Sequence, residues 1–286
     1  MISPANVALI ADSGSTKTAW CLTSNPQNII YTQGINPYQQ NEEDICAILQ
    51  HELMPKLSTV NCHWLSVYFY GAGCTPEKSP MVASTLRQVI GTSGVIRVES
   101  DMLGAARGLC GRQPGIVAIL GTGSNSCYYD GRSLHPGIPA LGYILGDEGS
   151  GSHLGKTLLN GLFKGTLPET LKEEFCDEYK LSLPSIIERV YRLPAANAFL
   201  ASLVPFIAKH RDNPEIHNTL VEVFRLFIER NIANYGHKEM PINCVGGIAY
   251  QFEKELKEAA REKDMQIGRI LRRPIEKIVQ FHLAED

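Results

Sequence analysis

Two short turns in this 286-residue chain are made of the same materials. Asp12-Ser13-Gly14-Ser15-Thr16-Lys17 follows the apolar run 7–11, and Gly121-Thr122-Gly123-Ser124-Asn125 follows the apolar run 117–120. A glycine-bearing, hydroxyl-rich turn between two strands points backbone N–H groups and hydroxyls into one concavity, which suits phosphate. Two such turns, one in each half, predict two lobes closing on one polyphosphate. Asp12 stands at the strand end beside the first turn. A carboxylate there can hold Mg²⁺, through water because Mg²⁺ dehydrates reluctantly; the other reading is an Asx turn capping its own hairpin. Gly14, Ser15, Thr16 and Lys17 offer donors to β- and γ-phosphates, with Lys17 reading equally as a solvated hairpin lysine.

Further acids complete the chemistry. Asp101 follows a strand and opens a helix, so its carboxylate is placed to take the proton of a hydroxyl attacking phosphorus. It reads equally as that helix's N-cap. Asp147 and Glu148 are neighbours in Gly146-Asp147-Glu148-Gly149. Successive residues in extended or loop backbone point opposite ways, so one can face substrate or metal while the other anchors the loop. Gly71 and Gly73 end a strand and offer backbone to a substrate. Asn36, in Gly34-Ile35-Asn36-Pro37, is an amide suited to hydroxyls or an ordinary turn starter. Gly246 and Gly247 sit between a strand and a helix, where a missing side chain admits a flat ring or tight packing.

The elements that position these residues can be read from periodicity. Residues 6–32 read as a strand, a hairpin and a third strand. Residues 41–57 read as a helix, with Glu42, Glu43 and Asp44 in its first turn where the dipole favours anions. Strands follow at 64–70 and 95–98, and helices at 80–90 and 102–109. The second half restarts with the same opening. It then carries helices at 156–163, 167–179, 185–191, 195–209 and 216–235, a strand at 241–245 and a helix from about 249. The domain reading is 1–110 for the first lobe, with the tail 274–286 returning to it, and 111–273 for the second.

Composition narrows the function classes. Apolar residues make up 44% of the chain, enough for ordinary cores, and a net charge of −3 gives no electrostatic case for nucleic acid. No run reaches the roughly 18 apolar residues of a membrane span. The opening residues 1–6 carry no basic segment and do not read as a secretory leader. Eight cysteines, with no C-x-x-C pair, read as reduced thiols of a cytoplasmic protein and not as a zinc site. Ser150-Gly151-Ser152-His153-Leu154-Gly155-Lys156-Thr157 ends like a phosphate-binding P-loop, but serine stands where its first glycine belongs and no strand feeds it.

In combination, the duplicated opening, Asp101 and Val245-Gly246-Gly247-Ile248-Ala249 resemble the superfamily of sugar kinases, heat-shock chaperones and actin. Gly121-Thr122-Gly123-Ser124-Asn125 with Gly146-Asp147-Glu148-Gly149-Ser150-Gly151 resembles its N-acetylglucosamine kinase branch, grouped with the BadF/BadG/BcrA/BcrD ATPases. The resemblance runs from Asp12 to Ala249. It implies an α/β fold of two ribonuclease-H-like (actin-like ATPase) lobes with an interlobe cleft and extra helices in the second lobe. It also implies ATP- and Mg²⁺-dependent phosphorylation of an amino sugar. In that frame Thr122 faces the γ-phosphate, and Gly123, Asn125, Gly146 and Glu148 lie near the sugar with Asn36, Gly71, Gly73 and Asp101. Asp147 joins Asp12 as a metal contact, and adenine lies near Gly246 and Gly247. The pattern departs at Leu141, where those kinases carry an aromatic residue; Tyr143 is the nearby aromatic. The alternatives are an iron–sulfur activator ATPase and a silent sugar- or nucleotide-binding protein. The expected partner is a small sugar, with a homodimer through an amphipathic helix of the second half.

Overall fold

The computed structural model describes residues 7–58, 60, 62–135 and 137–284; the opening residues 1–6, read above for a leader, lie outside them. The chain divides into two compact units: Met1–Gln113 with Gly131–Ser133 and Arg273–Asp286, and Pro114–Asp130 with Leu134–Arg272.

The first unit is built on β1 (Ala8–Ser13), β2 (Lys17–Leu22), β3 (Ile29–Gln33), β4 (Ser66–Gly71) and β5 (Ile96–Ser100), in the order β3-β2-β1-β4-β5. β1, β2 and β3 are antiparallel neighbours, whereas β4 pairs parallel with β1 and β5 parallel with β4. Central β1 is apolar on both faces, as a doubly covered strand must be. Leu9 and Ala11 pack with Trp20, Val67 and Phe69 on one side. There they meet α1 (Glu42–Ile48) and α2 (Ser79–Ile90) through Ile45, Ile48, Val82, Leu86 and Ile90. Ala8 and Ile10 face the other way with Ala19, Cys21 and Tyr70, against Ile275, Ile278 and Val279 of α13 (Ile275–Leu283). The expected acidic first turn of α1 is present, and Asn41 and Asp44 close a capping box there. α1 runs on into a π-helical turn, Leu49–Leu53, and a 3₁₀ turn, Met54–Leu57.

The second unit repeats the plan. β6 (Gly115–Leu120), β7 (Ser124–Tyr129), β8 (Leu134–His135), β9 (Ile242–Val245) and β10 (Ile267–Leu271) are ordered β10-β9-β6-β7-β8. Here too three antiparallel strands are followed by parallel ones. The duplication heard in the two turns is thus a duplication of topology. Between β8 and β9 lies the helical region that distinguishes this unit, from α4 (Gly142–Leu145) and α5 (Gly151–Lys164) to α10 (Pro214–Phe227). Its leucines and phenylalanines, including Leu158, Phe175, Phe206, Leu220 and Phe224, form one core with Ile116, Ala118, Leu120 and Cys244.

The local differences from the sequence reading have identifiable causes. Residues 195–209 form two helices, α8 (Ala196–Ala201) and α9 (Val204–Lys209), because Pro205 can neither donate to a preceding turn nor clear its carbonyl. α5 begins at Gly151, five residues earlier than read, because the Ser150 side chain caps it by accepting from His153 N. The strand β10 was not read, since Gly268 and a register shift between Ile267 and Ile270 break its alternation.

Candidate active site

The first unit brings Asp12, the first turn, Asn36, Gly71, Gly73 and Asp101 to the ends of neighbouring strands. Asp12 pairs across β2 with Ala19 and across β4 with Tyr70. Ser13 is completely buried and serves as the pivot of the turn. Its hydroxyl meets Thr18 Oγ1 at 2.7 Å, donates to Ile35 O at 3.0 Å and accepts from Ile35 N at 3.0 Å. Gly14 N donates to Lys17 O at 3.0 Å. This leaves the Ser15, Thr16 and Lys17 side chains exposed. Beneath them lies Gly34, where a Cβ would stand 2.4 Å from Gly14 O and 2.6 Å from Thr16 N. Asn36 is buried; its Nδ2 donates to Ser15 Oγ at 2.9 Å and its Oδ1 accepts from Tyr38 N at 3.0 Å. Gly73, at φ +76°, makes room for that amide, since a Cβ would come within 2.3 Å of Asn36 Oδ1. Gly71 is held closely by Phe69 and Cys74.

Asp101 is the first residue of α3 (Asp101–Cys110), and the cap of that helix is Ser100, whose side chain accepts from Leu103 N. The capping role read for Asp101 therefore belongs to its neighbour. Asp101 Oδ1 accepts from Met102 N at 2.8 Å. Burial pushes its pKa up to about 6, against the lowering effect of that backbone bond. Asp12 retains a little exposed surface, yet burial and then the charge of Asp101 lift its pKa to about 7 against the lowering effect of Arg273. Two carboxylates that both hold protons more strongly than solvated acids, one of them raised further by the other's charge, form a site asking for a cation or a proton.

The second unit assembles the other candidates around the second turn. Gly121 N donates to Gly123 O at 3.0 Å, and the carbonyls of Gly121 and Thr122 accept from Gly151 N and Ser152 N, the first amides of α5. Asp147 adopts a left-handed φ of +59°. From there its Oδ1 accepts from Ser124 N at 3.4 Å, and a Cβ on Gly123 would lie 2.9 Å from its Oδ2. Burial raises the Asp147 pKa, Ser124 lowers it, Glu148 raises it and Lys156 lowers it. Glu148 takes different partners from Asp147. It is buried, and its oxygens accept from Arg230 at 2.9 Å and Asn231 Nδ2 at 3.2 Å. Burial works against its charge, but the bonds from Arg230, its own backbone N–H and Asn231 together outweigh it and the net shift is downward. Arg230 and Asn231 lie in a π-helical turn, Ile228–Ile232, whose Asn231 carbonyl also accepts from Ser126 Oγ at 3.0 Å.

Asn125 lies on β7 opposite Ile119, its Oδ1 accepting from Ser126 N. Gly146 closes the short α4 turn on Gly142 O and rests against Leu141. Tyr143 packs on the core, so the exposed apolar side chains beside the loop are Leu141, Ile144 and Leu145. Gly246, at φ +125°, abuts Leu120, whose carbonyl a Cβ would meet at 2.1 Å. Gly247 opens on empty space. His153 accepts from Gly149 N in the first turn of α5, a packing role. Gly34, Ser13, Arg230 and Asn231 were not read as site residues. Only Gly34 carried a local signal, a glycine just past a strand end; the others act through partners distant in sequence. Among the described residues no three His, Cys, Asp or Glu side chains come together to hold a metal. No helix of the described residues is long and apolar enough to cross a membrane.

No protein-family model matches the chain. Among curated proteins, it is 29% identical over 208 residues to the N-acetylmuramic acid/N-acetylglucosamine kinase of Clostridium acetobutylicum. That match takes in 67% of this chain and 66% of the relative's length, just under two thirds. A solved structure from Porphyromonas gingivalis, provisionally named an N-acetylglucosamine kinase, is 42% identical with a TM-score of 0.92, over 98% of this chain and 100% of that one. A provisionally named N-acetylglucosamine kinase from Chromobacterium violaceum is 17% identical with a TM-score of 0.75, over 98% and 100%; it supports the fold alone. The expected two-lobed α/β fold is the fold of the two solved structures, and none of the three proteins is named as an activator ATPase.

Proposed function

Because the chain belongs to the N-acetylglucosamine kinase family of sugar kinases, we propose that it transfers the terminal phosphoryl group of ATP to a hydroxyl of an N-acetylated amino sugar. N-acetylglucosamine and N-acetylmuramic acid are the first candidates, both named in the curated relative. The observation that carries the reading is the half-buried pair Asp12 and Asp101, both of raised pKa, beside a turn whose Ser15, Thr16 and Lys17 side chains are exposed.

In the reaction the sugar oxygen forms a bond to the γ-phosphorus, the bond from that phosphorus to the ADP oxygen breaks, and ADP leaves with the electron pair. The sugar's proton passes to the Asp101 carboxylate. With a pKa of about 6, Asp101 is ionised at neutral pH yet binds a proton more strongly than a solvated carboxylate does. The gain from such a base is modest beside positioning and charge stabilisation. The first turn contributes Ser15, Thr16 and Lys17, and the second contributes Thr122 and Gly123, as donors to phosphate oxygens, while Gly14, its N–H taken by Lys17 O, shapes the turn. Glu148, tied to Arg230 and Asn231, fixes the loop that presents Asp147. Asn36 and Asn125 are the amides proposed to read sugar hydroxyls, and open Gly247 is proposed to admit the adenine.

The donor set suits Mg²⁺: a lone hard carboxylate, Asp12, with a second acid nearby, and no three-ligand cage among the described residues. When bound with ATP, that ion neutralises phosphate charge; Asp12, and Asp147 for its part, would hold it. ATP dependence and eight cysteines joined in no disulfide fit the cytoplasm.

The test is ADP release by the purified protein with ATP and Mg²⁺ against N-acetylglucosamine, N-acetylmuramic acid, N-acetylmannosamine, glucosamine and glucose. ADP release dependent on an N-acetylated sugar is expected. Sugar-independent hydrolysis, or preference for glucose, would overturn the proposal.

A further inference from the structure

One face of the first sheet carries more than Asp12. Directly opposed residues of antiparallel strands share a face. Asp12 opposes Ala19 on β2, and Ala19 opposes Tyr31 on β3, so the three form one row. Lys17, two residues before Ala19, projects from the same face. Its ammonium lies 3.7 Å from the centre of the Tyr31 ring. Arg273, just before α13 on that face, donates from Nη1 to Tyr31 Oη at 2.7 Å and lies 5.3 Å from the same ring centre. Lys56 Nζ donates to the Tyr31 carbonyl at 2.8 Å.

Tyr31 therefore gathers two side-chain cations. Neither Lys17 nor Arg273 has a carboxylate partner among the described residues, and both are exposed. Holding two like charges on one phenol ring is unfavourable unless an anion joins them; the cation–π attraction is small at an exposed site. The guanidinium also has donors left after its bond to Tyr31, in the fork that matches a phosphate's oxygens. It shares the Tyr31 ring with Lys17 of the first turn, which places it beside that turn.

We propose that Arg273 is a further phosphate-contacting residue of the site at the first turn, and that Tyr31 is the residue that positions it. Its ligand class is a polyphosphate, the tail of the nucleotide in the kinase reading on which the proposal rests. Lys17 supplies the second charge from across the same ring. Tyr31 and Arg273 lie far apart in sequence and meet only because α13 packs on this face.

The test compares wild-type protein with Arg273→Met, Arg273→Lys and Tyr31→Phe by calorimetric titration with inorganic tripolyphosphate, ADP and adenosine, alongside the KM for ATP and for sugar. Arg273→Met should weaken tripolyphosphate and ADP about tenfold or more while adenosine is unchanged. The KM for ATP should rise and the KM for sugar should not. Arg273→Lys should recover part of the loss, and Tyr31→Phe, which keeps the ring and loses the hydroxyl, should weaken tripolyphosphate by a smaller factor in the same direction. A folded Arg273→Met with unchanged tripolyphosphate affinity overturns the proposal. So does an equal loss for adenosine, which would mark a structural role, and if Arg273→Met fails to fold, unchanged affinity in Tyr31→Phe does the same. If wild-type protein binds tripolyphosphate through Arg273 but shows no sugar-dependent ADP release, the anion site stands and the kinase reading falls.

Discussion

Replacing Asp101 by Asn separates the two consequences of burying a carboxylate. In the folded protein its pKa is about 6, against an ordinary value of 3.8. Below pH 3.8 the group is protonated in both folded and unfolded chains and has no effect on stability. Between 3.8 and 6 the unfolded chain loses the proton and the folded chain keeps it, so stability falls as pH rises. Above 6 both are ionised and the whole penalty stands. A rise of about two pKa units corresponds to up to about 3 kcal/mol at neutral pH. Asn is nearly isosteric, and its Oδ1 retains the acceptor that Met102 N uses at 2.8 Å. Asp101→Asn should therefore raise the melting temperature at pH 7.5 by up to roughly 10 °C, with the gain vanishing towards pH 4. Turnover with sugar should fall by about two orders of magnitude or more, because the amide accepts no proton. In the wild type, kcat/KM should drop about tenfold per pH unit below about pH 6. Scanning calorimetry across pH and steady-state kinetics are the assays. An Asp101→Asn protein that melts no higher than wild type at pH 7.5 would refute the strained-charge argument, and one that turns over normally would refute the base.

Three further outcomes are expected. Gly34→Ala forces a methyl to within 2.4 Å of Gly14 O and so displaces the first turn; the KM for ATP should rise about tenfold, with a loss of roughly 1–3 kcal/mol in a urea melt. Glu148→Ala leaves Arg230 and Asn231 without the carboxylate that ties the 146–149 loop to the π-helical turn. The KM for sugar should rise several-fold or more while adenosine affinity, read by calorimetry, stays level. EDTA should abolish ADP release but leave the melting temperature of ligand-free protein within about 1 °C, since no three acidic, His or Cys side chains gather among the described residues; a large drop would point to a resident structural metal.

Sequence alone determined what depends on near neighbours. The strands flanking both turns, the acidic start of α1 and the helix of Asp101 follow from apolar runs, hydroxyl-rich turns and first-turn charges, all within reach of a few residues. The repeated order of three antiparallel strands and then parallel ones was legible because it is written twice. What tertiary structure decided has partners far along the chain. Whether 41–57 and 216–235 stay α-helical to their ends turned on packing, and both pass into π-helical turns, the second of which delivers Arg230 and Asn231 to Glu148. β10 exists because β9 offers it a parallel edge, although its own pattern is broken at Gly268. The need for glycine at 34 arises from a turn some twenty residues upstream pressing on it. The proton affinities of Asp12 and Asp101 come from burial, with the charge of Asp101 adding to that of Asp12, and no local pattern encodes either. Arg273 reaches Tyr31 across the length of the chain only when the last helix closes over the first sheet. Local preferences set which segments are strands and turns; desolvation and contact between distant segments set what their side chains can do.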